Sequence, residues 1–367
     1  MRLGMALVVW GVAWVLGGCL GGGRSGQEGG LPAADRVVAS SGRLPMLSAL
    51  AEEGSGPRGV HEGLAVVVLG SGGPATNLSG RASAAYLVLL DGKPGILMDA
   101  GGGSLQRLAE SGLNIKDLEF VLLSHLHVDH TADLPAFVKD LYFQNRFANR
   151  FREKPIRVFG PAENGITFPQ SEVMQYPGLS AFVDQLFMLE AGAYRYLNLF
   201  SKAINGGVFQ YQTHDLPSAL EAPIQVAVDE EGLVIKSVGV HHGPVPANAF
   251  RIEYAGRSVV YSGDTSSRTD NLIALAMNAD VLIYDAAVLK DQPETEEERI
   301  FFALHTTPTR MGAVAAAAGV KKLVLSHLGT TDEAQTERAI ALIREQDYEG
   351  QVVVARDLGV IQTAVSP

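Results

Sequence analysis

Apolar and polar positions change rhythm three times along the chain. Residues 3–16 form an uninterrupted apolar run behind the single charge of Arg2. From Leu20 to Gly63, glycine, serine and proline punctuate the chain, and only a short helical pattern near Leu47 to Glu53 survives. From Leu64 onward, short apolar runs bounded by Gly-rich turns alternate with stretches of helical spacing. The runs Leu64 to Leu69, Ala84 to Leu90, Ile96 to Asp99, Leu118 to Leu123 and Pro155 to Phe159 read as strands. So do Leu233 to Val240, Ala249 to Tyr254, Ser258 to Tyr261, Asp280 to Tyr284, Lys322 to Leu325 and Gln351 to Ala355. Helical spacing follows Gly101-Gly102-Gly103, where Leu105 and Leu108 share a face, and returns in Thr131 to Gln144 and around Phe182, Leu186 and Leu189. It recurs in Asn271 to Met277, Arg310 to Ala318 and Thr331 to Gln346, the last capped by Thr331 or Asp332. Residues 64–367 are long enough to build one large α/β domain. Between about 161 and 223 the rhythm breaks into an aromatic-rich insertion that includes Phe168, Tyr176, Phe187, Tyr194, Phe200 and Phe209. It either packs on itself or forms a lid over a substrate pocket. His214 lies within it as a secondary candidate for substrate contact.

The first apolar run changes the picture of where the protein works. One early positive charge, an apolar core and small residues before a cut site predict a secretion signal over residues 1–18. Leu16-Gly17-Gly18-Cys19 resembles the lipobox of bacterial lipoproteins, and Cys19 is the single cysteine of the 367-residue chain. Residues 3–18 are shorter than the roughly 20 residues a membrane-spanning helix needs. The expectation is therefore an exported protein held by lipid at Cys19, with residues 19–63 as a flexible tether. It would sit at the outer membrane or elsewhere in the cell envelope, facing the periplasm or exterior. A formal charge of −11 makes a poor match for a polyanion, so no nucleic-acid polymer is expected as partner. One cysteine also excludes an internal disulfide and a cysteine-based metal site.

The candidate chemistry is concentrated in Ser124-His125-Leu126-His127-Val128-Asp129-His130, which holds three of the nine histidines. It falls between a predicted strand and a predicted helix. Two histidines two apart on extended backbone face one point, and the Asp-His pair after the bend faces another beside it. Neutral imidazoles and carboxylates are ligands that suit zinc. Further candidates stand where other strands end: His241-His242-Gly243-Pro244, Ser262-Gly263-Asp264-Thr265 and Ser326-His327. Residues placed beyond strand ends are how sheet proteins assemble sites. Ser71-Gly72-Gly73-Pro74 reads most simply as a turn.

H-x-H-x-D-H, His-Gly-Pro, Ser-Gly-Asp-Thr and a late Ser-His-Leu together resemble the metallo-β-lactamase fold hydrolases, over about Leu64 to Thr363. Arg257 to Thr265 and His305-Thr306-Thr307 are closer still to the ribonuclease Z and arylsulfatase branch. The resemblance implies an αββα four-layer sandwich of two mixed sheets flanked by helices. It implies two zinc ions, one held by His125, His127 and His242, the other by Asp129, His130 and His327, with Asp264 bridging. His241 is the rival of His242 for the first ion. His305 corresponds to a family histidine that contacts the leaving group, and Asp285 stands where the branch has a glutamate pairing with it.

Ribonuclease Z carries a long basic-tipped arm where this chain has only Ala255-Gly256-Arg257, and the expectation therefore excludes tRNA as substrate. The expected enzyme is a dinuclear zinc hydrolase of a small-molecule ester, with an aryl sulfate ester first. A phosphodiesterase on small nucleotides, a lactone or β-lactam hydrolase and a non-catalytic metal-binding lipoprotein are the alternatives. Its nucleophile would be a hydroxide shared by two metals, oriented by Asp129, with His305 as the acid. Oligomeric state is left open, with a homodimer as one option.

Overall fold

The computed structural model describes residues 62–75, 80–167, 174–188, 190–198, 207–330 and 332–363. The signal-like segment, Cys19, the tether up to His61 with its short helix, and Phe168, Leu189, Phe200 and Thr331 lie outside these residues.

The first sheet is built from β1 (Leu64–Gly70), β2 (Ala85–Leu90), β3 (Lys93–Met98), β4 (Phe120–Leu122), β5 (Ile156–Pro161) and β6 (Tyr211–Leu216). Helices α1 (Ser104–Ser111), α2 (Val128–Thr131), α3 (Leu134–Phe147), α4 (Leu179–Phe187) and α5 (Tyr194–Asn198) fall between these strands in the chain. The second sheet follows: β7 (Gln225–Glu230), β8 (Leu233–Gly239), β9 (Asn248–Tyr254), β10 (Arg257–Tyr261), β11 (Val281–Asp285), β12 (Lys322–Ser326) and β13 (Gln351–Val354). Its helices are α6 (Asn271–Ala276), α7 (Glu296–Leu304), α8 (Pro308–Ala317) and α9 (Glu333–Arg344). A last strand, β14 (Val360–Gln362), returns to the first sheet.

The strand orders are β14-β1-β2-β3-β4-β5-β6 and β13-β12-β11-β10-β9-β8-β7. In each sheet an antiparallel part gives way to a parallel part: β3-β4-β5-β6 in the first, β10-β11-β12-β13 in the second. The fold is therefore two mixed seven-stranded sheets flanked by helices, the αββα sandwich expected.

Strand alternation explains the continuous apolar runs. Val66 and Val68 of β1 point between the sheets, with Tyr86, Met98, Leu122, Phe250 and Ile283. Their neighbours Ala65, Val67 and Leu69 point outward, under helical residues such as Leu108, Phe137 and Val183. A strand covered on both faces has no polar side to show. The outer face of the second sheet is closed by Leu272, Met311, Val314 and Ile343. Each large apolar side chain so buried contributes roughly 1.5–3 kcal/mol relative to exposure. Asp332 caps α9, accepting from the Gln335 N–H at 3.2 Å.

Within 161–223 the structure places α4, α5 and β6. Phe182, Phe187, Tyr194, Phe209 and Tyr211 of this stretch pack against the first sheet's outer core, whereas Tyr196 is exposed. Phe187 lies 4.9 Å from Phe209, which also meets Tyr142 at 5.9 Å. β6 is not part of an excursion but the edge strand beside β5. His214, on β6, stacks on Phe159 at 4.3 Å and takes no part in the His/Asp cluster described below. β9 and β10 are joined by Ala255 and Gly256, both at positive φ (51° and 71°), the backbone of the tightest hairpin turn.

Candidate metal centre

The parallel strands of both sheets end at one edge, and the residues that follow carry the chemistry. Asp99 follows β3, His125 lies beyond β4, Asp264 follows the end of β10, Asp285 closes β11 and His327 follows β12. From β4 the chain runs through Ser124 to His127, which is extended (φ −63°, ψ 152°) and opens α2. That extended stretch brings His125 Nε2 within 2.9 Å of His127 Nδ1. The turn of α2 then swings Asp129 and His130 to a neighbouring point, with His130 Nε2 3.4 Å from Asp129 Oδ2. His242 approaches from beyond β8, its ring 4.8 Å from that of His125 and 5.2 Å from that of His127. His327 Nε2 lies 3.2 Å from Asp129 Oδ2 and 3.3 Å from His130 Nε2. Asp264 stands in the middle. Its Oδ1 is 3.4 Å from His130 Nε2, and its Oδ2 is 3.4, 3.8 and 4.0 Å from the Nε2 atoms of His327, His125 and His242.

These donors form groups able to hold a cation: His125, His127 and His242 in one, Asp129, His130 and His327 in another, with Asp264 against His125 and His130 in a third. Three observations fit metal at this place. His242 Nε2, Asp264 Oδ1 and His327 Nδ1 are buried with no hydrogen-bond partner, an arrangement that costs free energy unless something else engages the cluster. The nitrogen pairs at 2.9 and 3.3 Å are spaced like neighbouring ligands on one ion, roughly 3.3 Å apart for bonds of about 2.0–2.1 Å. The donor set is all imidazole and carboxylate, which suits zinc. The structure draws His242, not His241, into the cluster: His241 turns its Nδ1 to Ser266 Oγ at 2.7 Å.

Electrostatics agree. Burial, with His130 beside it, holds the His125 imidazole well below its ordinary value, and burial lowers His127 and brings His242 down to about 4. These three are neutral, with lone pairs that a cation can take. Burial opposes charge on His130 and His327, but the surrounding carboxylates together raise both, Asp264 first, joined by Asp99 and Asp129 at His130 and by Asp129 and Asp285 at His327. Asp264 is itself pulled well below the carboxylate range by His327 and His130, against its burial. The buried carboxylates thus call for positive charge at this point.

His305 ends α7, its backbone N–H donating to Phe301 O at 2.8 Å. It therefore lies between α7 and α8. Its Nδ1 lies 2.6 Å from Asp285 Oδ2, so the shorter aspartate does reach it. Asp285, His305, Asp264 and His327 also lie close enough to form a metal-sized group. The Asp285 oxygens are already taken, however, by the N–H groups of Ala287 at 3.0 Å and Thr265 at 3.2 Å and by His305.

Sequence reasoning missed the residues that hold this cluster in place. Asp99, fully buried at φ 54°, accepts from the Ser124 N–H and Oγ at 2.7 Å each, from Tyr261 Oη at 2.6 Å, and pairs with His130 Nδ1 at 2.7 Å. It fixes which His130 nitrogen faces the cluster. Its signal was an aspartate at a strand end ahead of three glycines. The Leu304 carbonyl does the same for His242, accepting from Nδ1 at 3.1 Å. Gly263, at φ 57°, packs so close to Ser124 that an added Cβ would lie 2.7 Å from the serine Cβ.

Two family models match the chain: "Metallo-beta-lactamase superfamily" over residues 78–144 and "Beta-lactamase superfamily domain" over residues 191–328. The ribonuclease Z of Mycobacterium bovis is 29% identical over 309 residues, covering 80% of this chain and 96% of that protein. The ribonuclease Z of Mycobacterium sp. (strain KMS) is 30% identical over 270 residues, covering 71% and 83%. Among solved structures, the short form of human tRNase Z superposes with a TM-score of 0.59 at 22% identity, covering 82% of this chain and all of that one.

These relatives correct two expectations. A small-molecule ester as substrate, with no nucleic-acid polymer as partner, is overturned by relatives that are ribonucleases along most of the chain. The net charge misled because it averages the whole chain, whereas a phosphate would meet the local field of the site, which bound cations would dominate. The missing arm concerns how a polymer is gripped, not whether its phosphodiester is cut. An exported protein lipid-anchored at Cys19 is overturned too. The relatives along most of the chain are ribonucleases Z.

Proposed function

The chain belongs to the metallo-beta-lactamase superfamily, in its ribonuclease Z branch, and is a metal-dependent hydrolase; from that premise we propose that it cleaves phosphodiester bonds in RNA with two zinc ions. The observation that carries the reading is the pair of donor groups meeting at Asp264. His125, His127 and His242 would hold one ion and Asp129, His130 and His327 the other, with Asp264 shared between them. Bound there, the ions would supply a water acidic enough to attack at neutral pH and positive charge for the phosphate oxygens.

The chain's own residues do the rest. Asp129 sits at the rim of the cluster, slightly exposed, where its carboxylate can orient an attacking water. His305 faces the rings of His242 at 5.3 Å and His327 at 5.6 Å. Burial works against its charge, but the Asp285 carboxylate and their hydrogen bond raise it to about 9. It therefore carries a proton at neutral pH, and Asp285 holds Nδ1 so that Nε2 delivers that proton to the departing oxygen. The short Ala255-Gly256 turn means the substrate would be gripped near the metals, not by an extension between β9 and β10.

The test is to give zinc-loaded protein a labelled RNA, structured and single-stranded, beside nitrophenyl sulfate. Chelator-sensitive cleavage of RNA with little sulfate hydrolysis is expected. Intact RNA together with rapid sulfate hydrolysis would contradict the reading.

A further inference from the structure

α7 contains no fully buried residue along its nine positions, yet its end forms one wall of the metal centre. Leu304 O orients His242, and His305 closes the helix. Phe301 lies one turn before His305, on the same helix face. Among the described residues it joins none of the three apolar clusters, and 49% of its surface is exposed. Its ring is nearly parallel to that of His305, at 19° and 6.0 Å. A row of rings thus runs His127, His242, His305, Phe301, with spacings of 5.2, 5.3 and 6.0 Å. Phe301 is its outer end and the one carbocyclic ring of the four, with about half of its surface exposed.

We propose that Phe301 is a stacking platform for an unpaired RNA base, on the nucleotide that carries the leaving oxygen. This rests on the RNA-cleaving reading above. The position follows from His305: the group that protonates the leaving oxygen is one helical turn from the ring, so the base attached to that oxygen's own nucleotide is the one within reach. The charge of α7 favours a base over a phosphate. Arg299 and Lys290 are paired with Glu296 and Glu298, and Glu297 leaves the helix acidic, so it offers a phosphate little and a base an uncharged face. Because every base has a π-face, such a platform tolerates sequence and discriminates against paired nucleotides.

The experiment mixes zinc-loaded protein with short single-stranded oligoribonucleotides carrying 2-aminopurine at successive positions, and follows fluorescence before cleavage. In wild type one position, on the leaving side of the cut, should be quenched. Phe301→Ala should abolish that quench and raise KM roughly 5- to 150-fold, the range for one base–aromatic stack. Zinc content and thermal midpoint should hold, and Phe301→Tyr should restore the quench. An abasic residue at that position should weaken wild type by the same factor and leave Phe301→Ala unaffected. Wild-type quenching and KM in Phe301→Ala, or a change in its zinc content or oligomeric state, would overturn the platform while leaving RNA cleavage intact. Wild type that neither binds nor cleaves RNA would overturn both.

Discussion

The His305–Asp285 pair is where single side chains make the sharpest predictions. If His305 gives its proton to the leaving oxygen, its value depends on how badly that oxygen needs one. Nitrophenolate leaves with little help, whereas an alkoxide does not. His305→Ala should therefore keep its metal, lose little on nitrophenyl phosphodiesters, and lose roughly 10²–10⁴-fold on substrates with alkoxide leaving groups. Equal slowing on every leaving group would assign His305 to positioning instead. The pH profile tests the same proton. Because Asp285 raises His305 to about 9, the acid form is present below that pH and is lost as pH rises through it. Turnover of alkoxide substrates should fall there. In Asp285→Asn the raising charge is gone, and the fall should move down toward the ordinary histidine value of about 6.5. An unmoved alkaline limb in that variant would mean another group sets it.

Elements position these side chains through the parallel strand ends, and Asp99 shows how. It ties the end of β3 to Ser124 beyond β4, to Tyr261 at the end of β10 and to His130 on α2. Asp99→Asn preserves shape and suits the positive φ, but removes the charge that orients His130. It should weaken metal binding roughly 10- to 100-fold while circular dichroism stays native, and unchanged affinity in a zinc titration would sink this role. Strands buried on both faces were legible as apolar runs, and the ligands were legible because H-x-H-x-D-H and Ser-Gly-Asp sit where such runs stop. The edge strands β6, Tyr-Gln-Thr-His-Asp-Leu, and β7, Gln-Val-Ala-Val-Asp-Glu, were not: they expose much of their length and carry the polar residues that exposure permits. α7 was invisible because a helix that buries no residue leaves no apolar stripe to read. Asp99 was hidden for a different reason. One aspartate at a strand end looks like a turn residue until the fold brings Tyr261, 162 positions away, to its oxygen.

Across the whole molecule, two sheets from opposite halves of the chain meet at one edge, and the cluster is complete only when both have folded. Asp99, His125, His127, Asp129 and His130 come from the first, while His242, Asp264, Asp285 and His327 come from the second. Metal bound across that join stabilises the folded state alone, so chelation should lower the thermal midpoint and zinc should restore it. If the substrate is RNA, as proposed, the local character of the site reconciles it with an acidic chain, since the field that phosphate would meet is that of the centre. If Asp264 joins the two donor groups into a dinuclear centre, elemental analysis of zinc per chain will show it. Two ions are expected in fully loaded wild type and fewer in Asp264→Ala. A wild type that saturates at one ion, or an Asp264→Ala variant that still holds two, would contradict it.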